Sequence, residues 1–182
     1  MLKIVKDTSL SLRSKSKPVE LPVSKKDRDL LLKMLAYLKK TQDSLYREKH
    51  PTIREGVGLA APQIGVNKRM TAIYYHDADG KEVQYALVNP RIVENSIKKC
   101  YLLAGEGCLS VDEKHEGYVP RDNKIKVKGY DVLTDGEIEI AARGYGAIIL
   151  QHEIDHLDGI LYYDRINPTN PFEKIEDAIE IS

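Results

Sequence analysis

Apolar residues first recur at helical spacing between positions 24 and 49. Leu31, Met34, Leu35, Leu38 and Leu45 share one stripe, and Lys, Arg and Asp fill the rest. That pattern predicts an amphipathic helix over 24–49. Ser24 is placed to cap its start, and Pro51 lies just past its end. The period then changes. MTAIYY (70–75) and EVQYALV (82–88) read as strands around a DADG turn. Asn89-Pro90 punctuates, and RIVENSI resumes. KIKVKGY (124–130) and EIEIA (137–141) alternate on either side of an Asp135-Gly136 turn, which predicts a hairpin.

A second helix is predicted over 145–158, with Gly159 as the residue that ends it. Ala147, Ile148, Ile149, Leu150, Ile154 and Leu157 leave it apolar on most sides, as in a core helix. The acidic tail NPFEKIEDAIEIS reads as a short helix or an edge strand. One helix, many strands and a central helix point to an α+β fold, with mixed or antiparallel β-sheets around the buried helix. No linker or repeat divides 1–182, so a single domain is expected.

Charge excludes some partners. Lys plus Arg number 28 and Asp plus Glu number 28, so no global field draws the chain to nucleic acid or membrane. No apolar run reaches transmembrane length, and the N-terminal stretch lacks a signal-peptide pattern. A cytoplasmic protein is expected, with Cys100 and Cys108 reduced rather than paired.

The segment QHEIDH, 151–156, carries the chemistry. On a helix, His152 and His156 stand one turn apart on one face and can grip one ion. Glu153 is rotated about 100° from His152, where a general base belongs. The third ligand is open on these residues alone. Glu173, Glu176 or Glu180 would suit one kind of zinc peptidase. Another kind would need a His where Tyr162 stands. Cys108 in EGCLS would bring a thiolate suited to zinc or ferrous iron, although a buried structural Cys is as good a reading. Cys100 reads as core. Glu106 reads as an acid that anchors the loop or a ligand.

The glycine-rich GVGLAAPQIG, 56–65, has G-x-G-x-x-A spacing, but Pro62 and Gly65 interrupt the helix a dinucleotide site needs. It reads as an extended loop with Gln63 as an amide donor for an oxyanion. Ile149 lies three residues before His152. With Ile148 it is placed to wall a pocket, or equally to fill the core.

Taken together, GVGLAAPQ (56–63), EGCLS (106–110) and QHEIDH (151–156), in this order, resemble the peptide deformylase family. GYVPR (117–121) and the acidic tail look like its longer, type 2 branch. The resemblance implies hydrolysis of the formyl group from the N-terminal formyl-methionine of nascent chains. It implies Cys108 as third ligand beside His152 and His156. Fe2+ is implied in the cell, with Zn2+, Ni2+ or Co2+ able to replace it. It also implies Glu153 as base and then acid, and the Gln63 amide and Leu109 N–H as oxyanion donors. The backbone at Val57 and Gly58 would face the peptide. Ribosome association is the expected working place.

Overall fold

The computed structural model describes residues 2–182. Helix α1 spans Lys25–Gln42, and the Ser24 hydroxyl accepts the Asp27 N–H at 3.2 Å, as a cap should. The expected single helix over 24–49 is two helices. Asp43 is extended, and its carboxylate accepts the N–H groups of Leu45 and Tyr46 to start α2, Ser44–Lys49. An aspartate that bonds the next turn's amides competes with helix continuation. The break turns Leu45 outward, 66% exposed, so it leaves the core stripe in which its spacing put it.

Five antiparallel strands form the main sheet: β1 (Gly58–Ala60), β2 (Met70–His76), β3 (Glu82–Asn95) and, after two strands of the second sheet, β6 (Lys124–Asp131) and β7 (Gly136–Arg143). Their order is β1-β2-β3-β6-β7. The predicted hairpin is β6–β7, paired from Lys124↔Arg143 to Asp131↔Gly136. Asn89-Pro90 does not divide β3 but bulges it. Asn89 takes φ 51°, and the register shifts between Val88 and Arg91. Gly129 passes beneath, where a Cβ would lie 3.1 Å from the Val88 carbonyl oxygen.

The second sheet is β5 (Arg121–Asp122), β4 (Lys99–Leu102) and β8 (Ile179–Ile181), with β8 parallel to β4. The tail therefore ends in a strand. Helix α3, Gly144–Leu157, follows β7 directly and is buried on nearly all sides.

The main sheet is covered on both faces, which is why β2 is buried at five successive positions rather than at alternate ones. Met70, Ala72 and Tyr74 face α1 with Leu31, Met34, Leu35 and Leu38. Ile73, Leu87, Ile125, Val127 and Ile140 face α3 with Ala147, Ile149, Leu150 and Ile154. Each fully buried Leu or Ile contributes about 1.5–3 kcal/mol of transfer free energy. That packing holds α3 as a rigid platform against the edge strand β1.

Candidate active site

Helix geometry brings the two histidines together. Their Nε2 atoms are 3.1 Å apart, and Cys108 Sγ is 3.3 Å from that of His156. The three donors all lie within 4.8 Å of one another. An ion held tetrahedrally at about 2.1 Å from nitrogen and about 2.3 Å from sulfur sets its donors roughly 3.4–3.6 Å apart. The trio therefore fits a divalent cation. Cys108 arrives from the loop between β4 and β5. Arg54 holds that loop by donating to the carbonyls of Leu109 and Val111 at 2.6 and 2.8 Å.

His152 Nδ1 lies 2.8 Å from Glu106 Oε2, which leaves Nε2 as the ring atom that could hold a cation. Arg121 grips both Glu106 oxygens at 2.8 Å each. Burial alone would raise the Glu106 carboxyl, but the bonds from Arg121 and His152 outweigh it and hold it at about 2. Burial likewise opposes charge on His152, yet its bonds to Cys108 and Glu106 carry its pKa well above the usual value. Burial and the charge of His152 push His156 the other way.

Glu153 stands beside the trio, 3% exposed, and its Oε2 has no partner among the described residues. Burial pushes its carboxyl up to about 7, against the pull of His152. A carboxylate near neutrality can both take and return a proton. Gly58 on β1 makes this placement possible, because a Cβ there would overlap the Glu153 carboxylate. Gln63 follows in a short 3-10 turn. Its Oε1 accepts the Ala60 N–H at 2.8 Å, which aims Nε2 at Cys108 Sγ, 3.4 Å away.

Gly58, Gln63, Glu106, Cys108, His152 and Glu153 line one cleft of about 380 Å³, walled also by Val57, Leu109, Ile148 and Ile149. Ile149 belongs to the core cluster as well, so its wall and packing readings coexist. The other ligand candidates go elsewhere. Glu173 and Glu180 bond to Asn167 and Tyr101. Tyr162 stacks on His152 with ring planes at 17°. Asp155, the acid within QHEIDH itself, turns away from the histidines to Arg121 and Arg165. Cys100 is a free buried thiol in β4, pushed up to about 11 by burial. Arg54 and Arg165 carried no signal in the sequence, and Arg121 showed only as the last residue of GYVPR with no role attached, because an Arg reads as surface until its partners are known. Among the described residues, no helix is long and apolar enough to cross a membrane.

The family model for polypeptide deformylase matches residues 1–172. Peptide deformylase 2 of Bacillus subtilis is 49% identical over 181 residues, covering 100% of this chain and 97% of that protein. The crystal structure of peptide deformylase from Thermus thermophilus superposes with a TM-score of 0.73 at 30% identity, covering 94% of this chain and 89% of that one. A Met-Ala-Ser-bound class I type b peptide deformylase from Acinetobacter baumannii reaches 0.71 at 30% identity, covering 91% and 98%. On these matches the chain belongs to the polypeptide deformylase family, metal-dependent hydrolases that remove the formyl group from nascent polypeptides.

Proposed function

We propose that Cys108, His152 and His156 hold the catalytic ion and that Glu153 carries the proton. The observation behind this reading is the convergence of three donor atoms within 4.8 Å, beside a buried carboxylate with an unpartnered oxygen. Three protein ligands leave a position for solvent, as a catalytic site needs. A divalent cation bound there would lower the pKa of water and polarise the formyl oxygen.

The chain's own residues do the rest. The Glu153 carboxylate takes a proton from the attacking water as the water's oxygen bonds to the formyl carbon. Charge gathers on the former carbonyl oxygen, where the Gln63 Nε2 and the Leu109 N–H donate to it. The carbon–nitrogen bond then breaks. Glu153 returns its proton to the departing amine, which leaves formate and a free N-terminus.

The substrate peptide adds alongside β1, which among the described residues pairs with β2 alone and so keeps one edge for it at Val57 and Gly58. That the Acinetobacter baumannii protein holds Met-Ala-Ser favours the same kind of ligand here. Ile148 and Ile149 then contact the unbranched methionine side chain. We read 1–182 as one catalytic unit working in the cytoplasm on chains emerging from the ribosome. The metal in the cell is Fe2+ in this reading, with Zn2+, Ni2+ or Co2+ able to occupy the site. Two imidazoles and a thiolate suit soft and borderline cations.

Formate release from formyl-Met peptides, run beside casein cleavage, tests the reaction. Formate without casein products is expected, and casein cleavage alone would mean a peptidase. Elemental analysis of Cys108→Ala tests the ligand, since full metal occupancy there would place it elsewhere. Activity lost in air and spared by exchange to Ni2+ is expected of the ferrous form.

A further inference from the structure

Beyond the residues that face the cleft, a line of ion pairs runs from His152 to the protein surface. Glu106 Oε2 lies 2.8 Å from His152 Nδ1, and the Nε and Nη2 of Arg121 grip the two Glu106 oxygens at 2.8 Å each. The remaining Arg121 nitrogen, Nη1, donates to Asp155 Oδ2 at 2.5 Å. Arg165 then takes both Asp155 oxygens, through Nε and Nη2, at 2.6 Å each. The side chains of Arg121 and Glu106 are 1% and 4% exposed, that of Asp155 is 10%, and that of Arg165 is 39%.

We propose that Arg165 is a positioning residue for the metal centre: by neutralising Asp155 it leaves the Arg121 fork to Glu106, which orients His152. The inference rests on the reading of His152 as a ligand. Its ground is charge and geometry together. Two buried carboxylates and two guanidiniums balance to zero. Without Arg165 the same carboxylates share one guanidinium where solvent screens poorly, and a buried charge without a partner is costly. Arg121 meets Glu106 through its Nε/Nη2 edge. It gives Asp155 one contact, from Nη1 to a single oxygen. Among the described residues, Arg165 alone meets Asp155 through both oxygens. With Arg165 gone, Asp155 competes for Arg121, the fork on Glu106 loosens, and the His152 ring loses its orientation.

The plainer alternative is that Arg165 only docks the segment after α3. That segment, Tyr162–Arg165, has a second anchor outside the network: Arg13 pairs with Asp164 at 2.5 Å and donates to Tyr163 at 2.7 Å. The two anchors can be cut separately.

The experiment is chelator competition for Zn2+ on folded, metal-stripped protein, with folding checked by circular dichroism. Groups that orient a ligating histidine typically change metal affinity about 10–100-fold, and Arg165 acts at one remove, so R165A should bind Zn2+ about 10-fold more weakly. R165K keeps the charge but loses the fork and should fall about threefold. R13A should match wild type. Wild-type affinity in R165A, or equal weakening in R13A, overturns the proposal. If R165A does not stay folded, R165K decides, and wild-type affinity there overturns it. C108A should lose Zn2+ altogether. A C108A that binds normally would sink the ligand assignment itself, which is a separate failure from an unaffected R165A.

Discussion

Helices α1 and α3 cover opposite faces of the same sheet, yet they treat polar residues in opposite ways. On α1 the charges of Lys25, Lys26, Asp29, Lys33 and Lys40 stay in water, and the helix buries little that is polar besides the capping-turn Asp27 and Thr41. On α3, Gln151, Glu153, Asp155 and His156 are all buried. Such burial is costly unless each group finds a partner. Most do. Gln151 exchanges two hydrogen bonds with the Asp122 backbone at 2.9 Å, and Asp155 meets two arginines. Compensation stops at Glu153 Oε2 and His156 Nδ1, which have no partner among the described residues. On this helix the polar groups left without partners belong to the residues assigned the chemistry.

The largest expected effect follows from that contrast. Glu153→Gln should keep its metal and lose about 10²–10⁴-fold in turnover, read by formate release and elemental analysis. A fully active variant would end the proton-carrier role. Next is Arg121→Met, which strips the guanidinium from buried Glu106 while Asp155 keeps Arg165, and should cost about 3–5 kcal/mol in denaturant unfolding. Lys33→Ala on α1, the matching cut in a solvated charge, should stay within about 0.5 kcal/mol. Equal losses would erase the difference between the helices.

Gly58→Ala should then act on rate more than on stability. Its Cβ overlaps the Glu153 carboxylate, so that side chain must shift, and a misplacement near 1 Å can cost about 10²-fold in rate. An unchanged kcat would mean the carboxylate need not sit where it does.

The smallest effect belongs to α1. Burial would raise the Asp27 carboxyl, but the Lys68 ammonium and Ser24 hydroxyl outweigh it and hold the group below its ordinary 3.8. The unfolded chain thus takes up the proton more readily. The stabilisation is complete above the unfolded value and disappears as pH falls through the lower folded value. Asp27→Asn should cost a few tenths to about 1 kcal/mol at pH 7, with the gap to wild type closing as the pH falls below the ordinary carboxylate range. A gap that widened in acid would reverse the sign of this pairing.

Local pattern made part of this legible. The β6–β7 alternation and the apolar helix bearing His152, Glu153 and His156 are short-range signals, and they fold as read. Breaks set by one side chain were not legible from periodicity, as at Asp43, where the apolar spacing runs on through Leu45 while the backbone turns away. The parallel pairing of β8 with β4 joins Cys100 to Ile179, a contact no local pattern encodes. The arginine network escaped for the same reason. Arg121 lies in GYVPR and Arg165 in a polar stretch, and only the fold brings their carboxylates to them. Cys108 was an open alternative on spacing and was singled out by the order of three motifs.

X-ray absorption at the metal edge of anaerobically purified protein tests the centre most directly. Two nitrogen scatterers at about 2.0–2.1 Å and one sulfur at about 2.3 Å are expected, with the sulfur lost in Cys108→Ala. A metal shell of oxygen and nitrogen alone in the unmodified protein would contradict it.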